Sequence, residues 1–154
     1  MNIEKHFTVS IYIVHKEKVL LHHHKKYNRI LPLGGHIEKN ELPEETCIRE
    51  AKEESGLNIT LYNSNNGLTF HECNKSENEK VLVNPMHTIL CEVNKEHYHI
   101  DFVYYATADS FETSPEFGES KILKWYDKEE LNKLETKSPR VFTMASEALK
   151  LLKR

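Results

Sequence analysis

A chain of 154 residues suits one domain with a single core, and 38% hydrophobic with 29% charged residues is a globular composition, neither disordered nor collagenous. The net charge of −3 excludes the broad basic surface that holds nucleic acid, so no stable nucleic-acid complex is expected. No apolar run approaches the roughly 20 residues of a bilayer span, and MNIEKHFTVS lacks the apolar core of a signal peptide, so no membrane partner is expected.

The first elements read as a β-hairpin. HFTVSIYIV and KVLLHHH are rich in β-branched and apolar residues and flank the polar HKEK, which predicts strands over 7–14 and 18–23. KKYNRILPLGG then reads as a loop over 25–35. A helix follows over 43–55, with Pro43 at its first position and Gly56 as its stop. Leu42 offers no side-chain oxygen where a cap would sit, so the helix start is weakly capped.

Beyond the helix, strands are predicted over 59–62, 67–71, 87–93 and 97–106, with the polar loop NKSENEK among them. In HYHIDFVYYA, Tyr98, Ile100, Phe102 and Tyr104 alternate with His97, His99, Asp101 and Val103, so one face is apolar and the other begins polar. DSFETSPEFGES is a long acidic loop and KILKWY a short strand. Asp127 and Glu130 form a capping box for a helix running to Leu134. Ser138-Pro139 opens the last helix, whose apolar stripe is Val141, Phe142, Ala145, Leu149 and Leu152. Strands, a central helix and a terminal helix without internal repeats predict α/β layers in one domain spanning 1–154. Cys47, Cys73 and Cys91 are odd in number and far apart, matching neither a zinc pattern nor a disulfide framework, so a reducing cytoplasm is expected.

The central helix carries an unusual charge. Glu50, Glu53 and Glu54 share one face, because residues three and four apart project together, while Cys47, Ile48 and Ala51 supply the buried side. Clustered like charges on an exposed helix cost about 0.2–0.5 kcal/mol per pair. A solvated acidic face, with Arg49 paired to Glu45 and Glu53, is the plain alternative for three glutamates alone. The wider spacing argues against it. From Gly35 the chain reads G, five residues, E, seven residues, then REAKEESGL, placing Gly35, Glu41, Arg49, Glu50, Ala51, Glu53, Glu54, Gly56 and Leu57 in a fixed pattern. Its seven fixed identities coincide by chance about once in a million such chains.

This pattern resembles the Nudix box, G-x5-E-x7-R-E-U-x-E-E-x-G-U, and spans residues 35–57. Ala51 is a small residue for an aliphatic position, and Leu33 stands where proline often precedes Gly-Gly. The hairpin, the central helix and KWYDKEEL before a last helix also look like the Nudix (MutT-like) arrangement. The resemblance implies an α/β/α sandwich around a mixed sheet. It implies metal-dependent hydrolysis of a nucleoside diphosphate linked to another group, with Mg²⁺ or Mn²⁺ as cofactor. It implies metal ligation by Glu50, Glu53 and Glu54 with the Gly34 carbonyl. Glu41 is expected to support the loop and Arg49 to orient a carboxylate. Glu53 is the expected base on the helix, and Glu119, with Glu116 beside it, the alternative in the loop before Trp125.

The chemistry of the reaction agrees with that donor set. A diphosphate repels a nucleophile, and hard divalent cations, which prefer carboxylate oxygens, neutralise it. Lys25, Lys26, His99 and Asp101 are further candidates for substrate contact. His22, His23 and His24 alternate faces on a strand and cannot all meet one ion, so surface or substrate-edge roles are expected. His97, His99 and Asp101 are expected to form a satisfied polar cluster. The expected partner is a small nucleoside diphosphate derivative, and the family is compatible with a homodimer. A non-catalytic nucleotide-sensing module is the competing reading. Such modules are expected to lose box glutamates, and this chain keeps them.

Overall fold

Two strands far apart in sequence form the spine of the fold. The structure, a computed structural model, describes residues 2–65, 80–119 and 122–153. β1 (Glu4–His15) runs parallel to β7 (His97–Ala108) over eleven residue pairs, from Glu4 opposite His97 to Val14 opposite Thr107. In the second half of the pairing, Ile11–Val14 against Tyr104–Ala106, both strands are apolar on both faces, as strands covered on two sides are. Val9, Ile11 and Ile13 point one way with Tyr104 and Ala106. Tyr12 and Val14 point the other way with Val103 and Tyr105.

The remaining described strands extend this pair. β2 (Lys18–His24) closes the hairpin with β1, and β3 (Arg29–Leu31) and β8 (Leu123–Tyr126) pair with β2. β4 (Leu33–His36) lies antiparallel to β1. β5 (Ile59–Leu61) and β6 (His87–Asn94) lie antiparallel to β7. The sheet is therefore mixed.

α1 (Pro43–Ser55) packs on one face through Cys47, Ala51 and Ser55, a stripe at four-residue spacing. Ile11, Ile13, Leu20 and Leu33 are fully buried beneath it, each worth roughly 1.5–3 kcal/mol of burial. On the other face α3 (Pro139–Leu152) buries Val141, Ala145, Ala148, Leu149 and Leu152 against Tyr12, Leu21 and Tyr105, and α2 (Lys128–Asn132) adds Leu131. The result is the expected α/β/α sandwich. No described helix is long and apolar enough to cross a membrane.

The helix over 43–55 has the predicted bounds, and Gly56 closes it in the left-handed conformation. Glu45 reaches back to the Leu42 amide at 2.8 Å, which satisfies one N-terminal donor that Leu42 itself cannot. Three expectations need correction. Residues 25–35 are not simply a loop, because β3 lies within them and β4 begins there. Ile48 is 47% exposed instead of buried, since it sits outside the stripe of Cys47, Ala51 and Ser55. Of the two places expected for His22, surface or substrate edge, its 5% exposure removes the surface. The strand predicted at 67–71 and Cys73 fall outside the described residues.

β4 depends on Gly34. A Cβ on Gly34 would lie 2.0 Å from the Val9 carbonyl oxygen, and its φ is +149°. Only glycine fits there without moving β1. Gly34→Ala should destabilise the protein by about 1–3 kcal/mol, the usual cost of overpacking, measured by denaturant unfolding. An unchanged midpoint would mean that β4 is not held against β1 as described.

Candidate active site

β4 and α1 meet at the charged end of the helix. Arg49 lies among the carboxylates of α1 and of the turn before it, and each of its five N–H groups has an acceptor. Nε donates to Glu41 Oε1 at 2.8 Å, and Nη2 to Glu41 Oε2 at 3.0 Å, a two-pronged contact. Nη1 donates to Glu50 Oε1 at 2.8 Å and to Glu53 Oε2 at 3.2 Å. Nη2 also donates to the His36 carbonyl at 3.2 Å. Glu45 forms no part of this set, since it caps Leu42.

Glu41 is held further by the Thr46 hydroxyl at 2.7 Å and the Glu38 amide at 3.1 Å. The Arg49 hydrogen bonds above all, then these donors, lower its pKa to about 2. It stays ionised and anchors the turn before α1, which is the supporting role expected of it. Arg49 is in turn raised above its already high value by Glu41 and Glu50.

Glu50 and Glu54 differ from Glu41. Burial raises both, although Arg49 partly offsets this for Glu50 and the Gly34 amide for Glu54. Glu54 is pushed up to about 8, with the charges of Glu50, Glu119 and Glu53 adding to burial. Its Oε2 accepts from the Gly34 N–H at 2.8 Å. Glu50 fills the space above Gly35, where a Cβ would come 2.3 Å from Glu50 Oε1. The Gly-Gly pair of β4 thus serves as a cradle for two carboxylates.

The loop after β7 closes the site from the other side. The Ser114 amide donates to the Ser55 carbonyl and the Glu116 amide to the Glu53 carbonyl, each at 2.8 Å. Glu119 follows, and its charge bears on both Glu50 and Glu54. This loop-to-helix backbone pairing has no sequence signal.

A cavity of about 600 Å³ opens from Gly34, Gly35 and Glu54 across the face that carries α3. Arg29, Lys137 and Arg140 bring positive charge to its wall, and Tyr27 stacks on His24 at 4.6 Å between ring centroids. Of the expected substrate contacts, His99 and Asp101 line the cavity. Lys25 lies in the exposed turn after β2, outside the lining residues. His22 and His24 face the cavity, and His22 is lowered to about 4 by burial and then by His24. Asp101 is buried and satisfied. It accepts from Thr8 Oγ1 at 2.8 Å, Ser10 Oγ at 2.7 Å and Arg140 Nη2 at 2.5 Å. Glu53 instead lines a shallow depression on the outer side of α1, with Ile48, Lys52 and Glu116.

The sequence matches the family model described as NUDIX domain over residues 4–145. The chain belongs to the NUDIX family. It is 60% identical to a hydrolase of that family from Clostridium perfringens, covering 98% of this chain and 100% of that one, with a TM-score of 0.85. It is accordingly a Nudix hydrolase, an enzyme acting on acid anhydrides of phosphorus. A MutT protein from Methanosarcina mazei Go1 shares the fold at 14% identity, with a TM-score of 0.70 over 100% of this chain and 99% of that one. A UDP-X diphosphatase shares it at 14% identity, with a TM-score of 0.62 over 96% and 65% respectively. No curated protein matches the chain.

The donor set fits a hard divalent cation. Carboxylate oxygens are its preferred ligands, and one guanidinium cannot balance Glu41, Glu50, Glu53, Glu54 and the nearby Glu119. As arranged here, the carboxylates are held by Arg49 and by the Gly34 amide. The group of donor atoms that converges among the described residues is one of histidines.

The raised Glu54 sets a pH dependence for the metal-free protein. Its folded pKa lies above the 4.5 of an unperturbed glutamate. The unfolded chain therefore loses this proton first as pH rises, and the stabilisation present below pH about 4.5 is lost progressively up to about 8. Thermal melts in chelator should show Tm falling from pH 5 to 8, and Glu54→Gln should flatten that fall. An identical pH slope in the variant would remove Glu54 as its source.

Proposed function

We propose that the protein is a metal-dependent pyrophosphohydrolase that cleaves a diphosphate bond in a nucleoside diphosphate derivative. The observation that carries this reading is continuity. The cavity with Arg29, Lys137 and Arg140 on its wall opens directly onto Gly34, Gly35 and Glu54. A polyanion held by those cations presents its phosphates to the carboxylate end of the cleft, and Tyr27 and His24 offer an aromatic surface for a base. Asp101 acts by fixing Arg140, and His99 borders the same wall.

Glu50, Glu53 and Glu54, with the Gly34 carbonyl, are the proposed holders of Mg²⁺ or Mn²⁺. Bound there, such an ion neutralises phosphate charge and acidifies a coordinated water. Arg49 holds Glu41, Glu50 and Glu53 in register, so it is a positioning residue. Glu53 takes the proton from the attacking water, and Glu119 is the alternative base. Both free cysteines among the described residues are at least partly buried, consistent with a reducing cytoplasm. No observation favours the sensor reading, because every box glutamate stands in the cluster.

Turnover of nucleoside triphosphates, ADP-ribose, dinucleoside polyphosphates or nucleotide sugars with Mg²⁺ tests the activity. Glu53→Gln should keep the fold and lower kcat by about 10²–10⁴-fold, the span for removing a positioned acid–base group. A far larger loss at Glu119→Gln than at Glu53→Gln would move the base to the loop. A wild type that hydrolyses none of the panel yet binds one nucleotide tightly would replace the enzyme reading by the sensor.

A further inference from the structure

At the rim of the cleft, four histidines meet. His6 on β1, His36 on β4, and His97 and His99 on β7 place their ligand-capable nitrogens all within 4.8 Å of one another. Strand register explains the convergence. His6 lies opposite His99 and Glu4 opposite His97 in the parallel pair, while β4 sets His36 opposite Thr8, two residues along from His6. Residues two apart share a face, so all four rings gather on one side of the sheet.

The hydrogen bonds of these rings are incomplete. His99 Nε2 is buried with no partner. His6 Nδ1 faces His97 Nε2 at 3.0 Å, and His6 Nε2 lies 3.0 Å from Glu4 Oε1. With the Nε2 proton given to Glu4, His6 Nδ1 turns a lone pair into the cluster. Burial, then the neighbouring rings His36 and His97, hold His99 below the ordinary histidine pKa, which favours the neutral ring that binds metal.

We propose that His6, His36, His97 and His99 form a closed site for a zinc-class divalent transition metal, distinct from the glutamate site. Imidazole donors suit Zn²⁺, Co²⁺ or Ni²⁺, whereas Mg²⁺ and Mn²⁺ prefer oxygen. A tetrahedral ion with metal–nitrogen bonds of about 2.0–2.1 Å needs nitrogens about 3.3 Å apart, a contraction within reach of ring rotation. Glu4 is the outer partner that fixes the His6 tautomer. Four protein donors leave no position for substrate, so the role is structural. The ion ties β1, β4 and β7 together next to the His36 carbonyl that accepts from Arg49, and so braces the strand that contains the Gly-Gly pair.

The test uses untagged, chelator-stripped protein titrated with Co²⁺ and, separately, with Zn²⁺. One equivalent of Co²⁺ should give the visible absorption bands of a tetrahedral site, and Tm should rise with either ion. His97→Gln, outside the cavity wall, should abolish the bands and the Tm rise. Glu4→Gln, an exposed residue whose loss leaves the fold intact, should weaken binding by about 10–100-fold, the usual effect of an outer-shell partner. Glu50→Gln should leave the bands unchanged, which separates this site from the carboxylates. Where His97→Gln is unfolded by circular dichroism, His6→Gln takes its place. The proposal is overturned by folded wild type that gives no tetrahedral bands at millimolar Co²⁺. It is equally overturned by bands that survive the histidine variant or vanish in Glu50→Gln. None of these readings depends on whether a diphosphate is turned over.

Discussion

Arg49 is the constraint on which the site depends. Its five donors hold Glu41, Glu50, Glu53 and the His36 carbonyl, so one side chain fastens the turn after β4 to the helix. Lysine could not replace it, because an ammonium lacks the planar fork that engages both Glu41 oxygens at once. Arg49 is also insufficient as a counter-charge. One positive charge faces several carboxylates, and Glu50 and Glu54 are raised by burial first, with the charges of their carboxylate neighbours adding to it. The site is therefore built with a deficit of positive charge that a divalent cation and a cation-lined cleft are suited to meet.

The sandwich places this cluster where it can work. The parallel β1–β7 pair carries a core on each face, so α1 and α3 are fixed independently against one rigid centre. α1 is set by Cys47, Ala51 and Ser55, which turns its acidic face toward β4. The loop after β7 then binds the last turn of α1 through backbone amides, bringing the charge of Glu119 to bear on Glu50 and Glu54. The cavity forms on the opposite layer, between the sheet and the start of α3, and reaches the glutamates at Gly34, Gly35 and Glu54.

What the sequence disclosed follows from which interactions are local. The central helix was legible to its last residue, because proline, charge spacing and Gly56 all act within a few positions. The box glutamates were legible as a group for the same reason. β3 and β4 were not, since a three- or four-residue strand containing Gly-Gly has no periodicity, and its existence depends on partners in β1 and β2. His97, His99 and Asp101 do share a face, but they divide. Asp101 joins Thr8, Ser10 and Arg140, while the histidines meet His6 and His36. Only the register between β1, β4 and β7 brings those residues together, and no local pattern encodes it. Ile48 failed for a smaller reason: a helix position beside the buried stripe is exposed when its neighbour at Cys47 takes the core. Arg29, Tyr27, Lys137 and Arg140 come from separate segments and could be joined only through the fold.

The central claim is that the carboxylates around the Gly-Gly pair of β4 form a hard-cation site. Diffraction from crystals soaked in Mn²⁺, recorded for anomalous signal, tests it most directly. The account predicts a peak within about 2.0–2.6 Å of oxygens from Glu50, Glu53 or Glu54 or of the Gly34 carbonyl, the range for oxygen ligands of such ions, with Arg49 still bound to Glu41. Manganese bound elsewhere in the presence of a nucleotide diphosphate, with these carboxylates left on Arg49 and the Gly34 amide, would contradict it.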